Sequence, residues 1–145
     1  MIDDEDSLDL ARLTVPLTGS LQHTGDMWLP FRLLDPSGIP VDAVSTYFRD
    51  LQAASRSEAT IRSYGLDLLR WFRFLWAIEV GWNRATRVEA RDFSRWMLLA
   101  GKPSRPHWRR PTESVERSPR GPYAPSVRAH SETVLRGFYD FHLAD

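Results

Sequence analysis

The chain of 145 residues contains no cysteine and a single lysine. Without cysteine, a disulfide framework, a thiolate metal centre and a Cys nucleophile are all closed. No run of eighteen apolar residues occurs, so no stretch reads as a membrane-spanning helix. The N-terminus, MIDDEDSLDL, is acidic where a signal peptide opens with positive charge, and the expected compartment is the cytoplasm. There is no Gly-rich phosphate loop. Histidines stand at 23, 107, 130 and 142, without metal-ligand spacing to carboxylates, so no metal and no cofactor is expected. His130 flanks an apolar stripe and reads as a core or boundary histidine. Acidic pairs such as Asp3 and Asp4 belong to a solvated tail. No internal repeat is visible, and no small-molecule substrate is implied.

What is present is ample core material. The composition is 42% hydrophobic and 12% aromatic, with six Trp, seven Phe and four Tyr, which suits one domain. Formal net charge is zero but unevenly spread. Residues 1–50 hold nine acids and three bases, a charge of −6; residues 51–145 hold ten acids and sixteen bases, a charge of +6. An acidic head on a basic body points to nucleic-acid contact. Eighteen of the nineteen bases are Arg, whose fork suits phosphate and guanine. An Arg-rich codon bias accounts equally well for Arg over Lys, but not for the asymmetry.

Periodicity predicts an all-α fold of four helices. Residues 1–40 read as an acidic, irregular arm, in which LARLTVPL alternates enough for a short strand. MWLPFRLLDPSGIP is broken by Pro30, Pro36, Gly38 and Pro40, with turn chemistry at DPSG. Trp28, Phe31 and Leu33 or Leu34 are expected to pack on the body, with a short hairpin as one form for the arm. A first helix is expected over about 42–54, with Asp42 as N-cap and Val44, Tyr47, Phe48 and Leu51 inward. A second starts after Ser57. Its stripe of Ile61, Tyr64, Leu68, Phe72 and Leu75 is widened by Leu69, Trp71 and Trp76, and Gly81 stops it. Gly65 beside that stripe and Gly137 further on are candidates for close packing. A third opens on a capping box at Thr86–Glu89 and runs through Phe93, Trp96, Met97 and Leu98 to Ala100. Residues 102–123 hold five of the ten prolines, six bases and two acids, and read as a long Pro/Arg-rich loop. A fourth helix has Pro125 in its first turn and Val127, Ser131, Val134, Phe138 and Phe141 on one face.

Three segments now carry a resemblance. SEATIRSYGLDLLRWFRFL resembles the first signature of the tyrosine recombinase (phage integrase) family: a Ser or Thr cap, then Thr, Ile and Tyr, then a Leu and aromatic stripe. YAPSVRAHSETVLRGFYDF resembles the second, a basic helix ending in Arg-x-Phe-Tyr-x-Phe, and RATRVEARDFSRWM resembles the helix between them. Together they cover roughly residues 41–143. The resemblance implies a SAM-like, four-helix core-binding domain over 41–145. Such a domain forms one half of a clamp on double-stranded DNA in site-specific recombination and DNA integration, with other recombinase protomers as a further partner class. It also implies that the catalytic half is not part of this chain, so no enzyme activity is expected. One match to a catalytic pattern, His107-x-x-Arg110 with Tyr139 downstream, lies in a Pro-dense loop and inside the binding signature, and is rejected.

On a helical wheel Arg62, Ser63, Arg70 and Arg73 fall opposite the apolar stripe of the second helix. Arg62 and Arg73 are about 16 Å apart along it. Arg128 and Arg136 lie away from the stripe of the fourth. The resemblance places these two helices against the major groove. The expected DNA-binding set is therefore Arg56, Ser57, Thr60, Arg62, Arg70, Arg73, Arg128 and Arg136, with Ser57 equally readable as a plain cap. Lys102, Arg105, Arg109 and Arg110 offer a second contact in the loop, to DNA or to a neighbouring protomer, though its composition equally suits disorder. Arg on a solvated helix face is ordinary in itself. The alternative is a small helical protein-interaction module, with Trp108 and Tyr123 as anchors.

Overall fold

The computed structural model describes residues 9–100 and 123–144. Its elements are β1 (Ser20–Asp26), β2 (Leu29–Leu34), α1 (Asp42–Ala53), α2 (Glu58–Ile78), α3 (Arg87–Ala100) and α4 (Pro125–Leu143). The fold is thus mostly helical but not all-α: four helices are joined by a two-stranded antiparallel sheet. The chain divides into two compact units. One comprises Val15–Arg84 and Ala129–Asp145, the other Met1–Thr14 and Ala85–Arg128.

The larger unit begins with the hairpin, and its turn explains itself locally. Gly25 takes a left-handed φ of 82°. The Thr24 hydroxyl accepts from Asp26 N–H, and Asp26 Oδ1 accepts from Trp28 N–H. The register pairs Ser20 with Leu34 and His23 with Phe31, then slips at a bulge before Asp26 meets Leu29. This strand is not LARLTVPL, whose residues form a turn and irregular chain; a closed turn with side-chain bonds outweighs a weak alternation. Pro30 does not break β2 but lies inside it, as a strand with one paired side tolerates. Leu29, Phe31 and Leu33 are buried, whereas Trp28, expected in the core, is 66% exposed because the turn carries it outward. The DPSG turn forms as expected: Asp35 Oδ1 accepts from the N–H of Ser37 and of Ile39, and Gly38 has φ 84°.

Helix α1 buries Val44, Tyr47, Phe48 and Leu51. Val41, not Asp42, is its N-cap, and Asp42 instead places a negative charge in the first turn, where the helix dipole favours it. Helix α2 is capped by Ser57, whose Oγ accepts from Thr60 N–H at 3.1 Å. Its far end is a Schellman motif closed by Glu79 at φ 58°, with Val80 N–H bonded to Leu75 O and Glu79 N–H to Trp76 O. Gly81, expected as the stop, lies beyond this cap. Ile61, Leu68, Leu69, Trp71, Phe72, Phe74 and Leu75 are all buried, so α2 is covered on nearly every side. In α4, Ser131, Val134, Leu135 and Phe138 are buried. Phe138 stands edge-on to Tyr47, Phe72 and Trp82 at ring centroid distances of 5.7, 6.1 and 5.5 Å. His142 adds a hydrogen bond from Nε2 to Ala43 O.

In the smaller unit, Thr86 and Glu89 form the expected capping box. Glu89 Oε1 accepts from Thr86 N–H at 2.6 Å, and Thr86 Oγ1 accepts from Val88 N–H. The bond from the Thr86 backbone holds the Glu89 carboxyl below its ordinary value. Phe93, Trp96 and Met97 are buried, but Leu98, read as part of the same run, is 48% exposed. Tyr123 is buried, donating from its backbone N–H to Met97 O.

Glu79 and Tyr47 each give a measurable consequence. Replacing Glu79 with Gly relieves a left-handed residue and should stabilise the protein by about 1 kcal/mol in urea unfolding. Burial, and then the neighbouring Tyr64, push the Tyr47 phenol up from 10.0 to about 12. The unfolded chain loses this proton first, so stability should fall as pH rises from about 10 to about 12. That alkaline component should vanish in Tyr47→Phe, as thermal melts across the window would show.

Candidate nucleic-acid interface

A carboxylate in the middle of a buried helix needs partners, because desolvating a lone charge costs several kcal/mol. Asp67 of α2 is 4% exposed and has three of them. Its Oδ1 accepts from Arg70 Nη1 at 2.6 Å and from Ser131 Oγ at 2.7 Å. Its Oδ2 meets His130 Nδ1 at 2.5 Å. Arg70 Nη1 also reaches Ser131 Oγ at 3.3 Å. Asp67 and Arg70 are one helical turn apart, while Ser131 and His130 are adjacent on α4, so one side chain binds two helices. The Tyr64 ring stands edge-on to His130 at 5.9 Å. The outer rim of the cluster is open: the side chains of Arg70 and His130 are 25% and 45% exposed.

The structure divides the expected DNA-binding residues into two sets. Arg56, Ser57, Arg62 and Arg136 are exposed. Arg136 lies 3.8 Å from Glu132 across one turn, with both side chains in solvent. Ser57 and Thr60 are tied to each other in the α2 cap. Arg128 is half-buried, with Nε 3.5 Å from Tyr123 O. Arg70 and Arg73 differ from the wheel's outer face: both are half-buried and bonded internally. Arg73 donates from Nε to Thr18 O at 2.7 Å and from Nη2 to Gly19 O at 3.3 Å, fastening the chain that leads into β1. The wheel misplaced them because β1 and α4 cover sides of α2 that periodicity leaves to water. Lys102, Arg105, Arg109 and Arg110, with His107 and Trp108, lie outside the described residues.

Sequence reasoning passed over Asp67 and its hold on His130. The available signal was an acid within the apolar run of α2, where only a paired charge is tolerated. It also passed over Arg87, Arg91 and Arg95, all exposed at four-residue spacing on α3. Tyr139 is committed to packing: its hydroxyl donates to Trp82 O at 2.7 Å and accepts from Trp71 Nε1 at 3.1 Å. Among the described residues no group of three or more acids or histidines is placed to hold a metal, and no helix is long and apolar enough to cross a membrane.

Residues 44–110 match the family model described as "Phage integrase, N-terminal SAM-like domain". Over those residues the match supports membership of the tyrosine recombinase (phage integrase) family. The match runs from α1 through α3, with α4 beyond it. No curated protein and no solved structure matches the chain.

Removing Asp67 leaves three donors at the α2–α4 seam without their acceptor. Asp67→Ala should cost on the order of 3 kcal/mol, and Arg70→Ala less, because its head is partly solvated. Urea unfolding of the two variants measures both, and an Asp67→Ala protein as stable as wild type would contradict the assignment.

Proposed function

We propose that this chain binds double-stranded DNA as the core-binding part of a tyrosine recombinase, in site-specific recombination or DNA integration. The match of residues 44–110 to the integrase N-terminal domain carries this reading. The +6 charge of residues 51–145 supports it, as do the solvent-facing Arg56, Arg62 and Arg136 on and beside α2 and α4. The matched residues belong to the DNA-holding half of the family's clamp, so the proposed role is holding DNA and not cutting it. Residues 41–145 would form the binding module and 1–40 an acidic arm, acting in the cytoplasm. Arg56, Arg62, Arg128 and Arg136 are proposed to contact phosphates, with Ser57 and Thr60 presenting the N-terminus of α2. Arg70 and Arg73 would add to the field while bonded within the protein, and Lys102, Arg105, Arg109 and Arg110 form the second proposed contact.

The interaction-module alternative loses one anchor, since Tyr123 is buried. One observation still favours contact with another recombinase protomer. Helix α3 exposes Val88, Leu98 and Leu99 by 49%, 48% and 58%, among Arg87, Arg91 and Arg95. The adjacent Leu98 and Leu99, next to Arg95, suit a protein partner more than a phosphate.

Duplex DNA affinity measured across a salt series tests the reading. Wild type should weaken steeply with salt, and Arg62→Glu with Arg136→Glu should flatten the slope by about one unit for each phosphate no longer neutralised. Neither change should shift the melting temperature, because both side chains are exposed. Absence of binding at low salt would overturn the proposal.

A further inference from the structure

We propose that His130 contacts a DNA phosphate, held in place by the buried Asp67, and that DNA binding therefore strengthens on acidification. The proposal rests on the DNA-binding reading and adds to it a residue and a pH response.

The geometry fixes which nitrogen does what. A carboxylate accepts and cannot donate, so the proton between Asp67 Oδ2 and His130 belongs to Nδ1. Nε2 is then left as the outer nitrogen of a side chain that is 45% exposed. Among the described residues nothing hydrogen-bonds to it. In the neutral ring Nε2 carries a lone pair, which a phosphate oxygen repels. In the protonated ring it carries an N–H that a phosphate accepts, with opposite charge behind it.

The charges around the ring make the two states differ sharply. From α2, Asp67, Arg70 and Tyr64 face it; on α4, Ser131 bonds to the same carboxylate, and the Glu132 carboxylate is directed to Arg136. Asp67 and Arg70 offset each other, so the seam is neutral with a neutral His130 and carries +1 when the ring is protonated. Support of α4 needs one N–H at this position, which any amide side chain supplies. The second ring nitrogen, facing solvent, is surplus to that need. Asp67 is thus a positioning residue, and His130 the group that would touch the ligand.

The experiment compares wild type with His130→Asn, whose amide can still donate to Asp67 but has no outer nitrogen. Duplex DNA affinity is measured by fluorescence anisotropy at fixed ionic strength, near pH 5.5 and near pH 8, about the two ends of the histidine range. Wild type should bind roughly five- to tenfold tighter at the acidic end, as a charge-assisted hydrogen bond predicts. His130→Asn should match wild type at the alkaline end and lose most of the acidic gain, although His23, His107 and His142 are unchanged. A gain that survives in His130→Asn overturns the proposal while leaving DNA binding intact; no binding by wild type at either pH overturns both. In wild type itself, the His130 ring resonances should shift on adding DNA at the acidic end, and silence there while DNA is bound also rejects the contact.

Discussion

Asp67 places a negative charge inside a helix seam, and the seam holds together only because three donors converge on it. Two come from α4, Ser131 and His130, and one from α2 itself, Arg70. An apolar contact can slide by part of a turn and lose little. A buried carboxylate cannot, because each displaced donor leaves an oxygen without a partner. The cluster thus sets the register of α4 along α2, and the aromatic contacts of Phe138 and Tyr139 follow further along α4. The same cluster brings two basic side chains, Arg70 and His130, to the solvent rim of the seam.

The division of the arginines follows from how deeply α2 is embedded. An amphipathic surface helix has one wet face, and its charges are spare. With the hairpin, α1 and α4 gathered round it, α2 has little wet surface beyond its first turns, and Arg70 and Arg73 become structural cations. Basic residues that remain available are at the start of α2, on the outer side of α4 and along α3. The exposed basic residues thus lie at the ends and flanks of the elements more than along the stripe of a single helix.

The four helices were legible in the sequence because their signals are local: the Ser57 cap, the Thr86–Glu89 box, Pro125 at a first turn and the spacing of Ile61, Leu68, Phe72 and Leu75. The family was legible for a related reason, since its signatures lie on those same helices. The hairpin itself was within the reading, but its first strand was misplaced to LARLTVPL, because the strands are set by the Thr24–Trp28 turn and by pairing, neither of which alternation reports. Arg70 and Arg73 were misread because a helical wheel knows one helix at a time. Asp67 went unnoticed because its meaning depends on residues more than sixty positions away.

The outer edge of β2 shows a further consequence. At one end of that strand Leu33 O already accepts from Val41 N–H while Leu34 bridges to Pro40. A two-stranded ribbon ordinarily invites a third strand from a neighbouring molecule. Here the chain's own path occupies one end of the free edge. Strand addition at that end of β2 is therefore blocked by the chain itself.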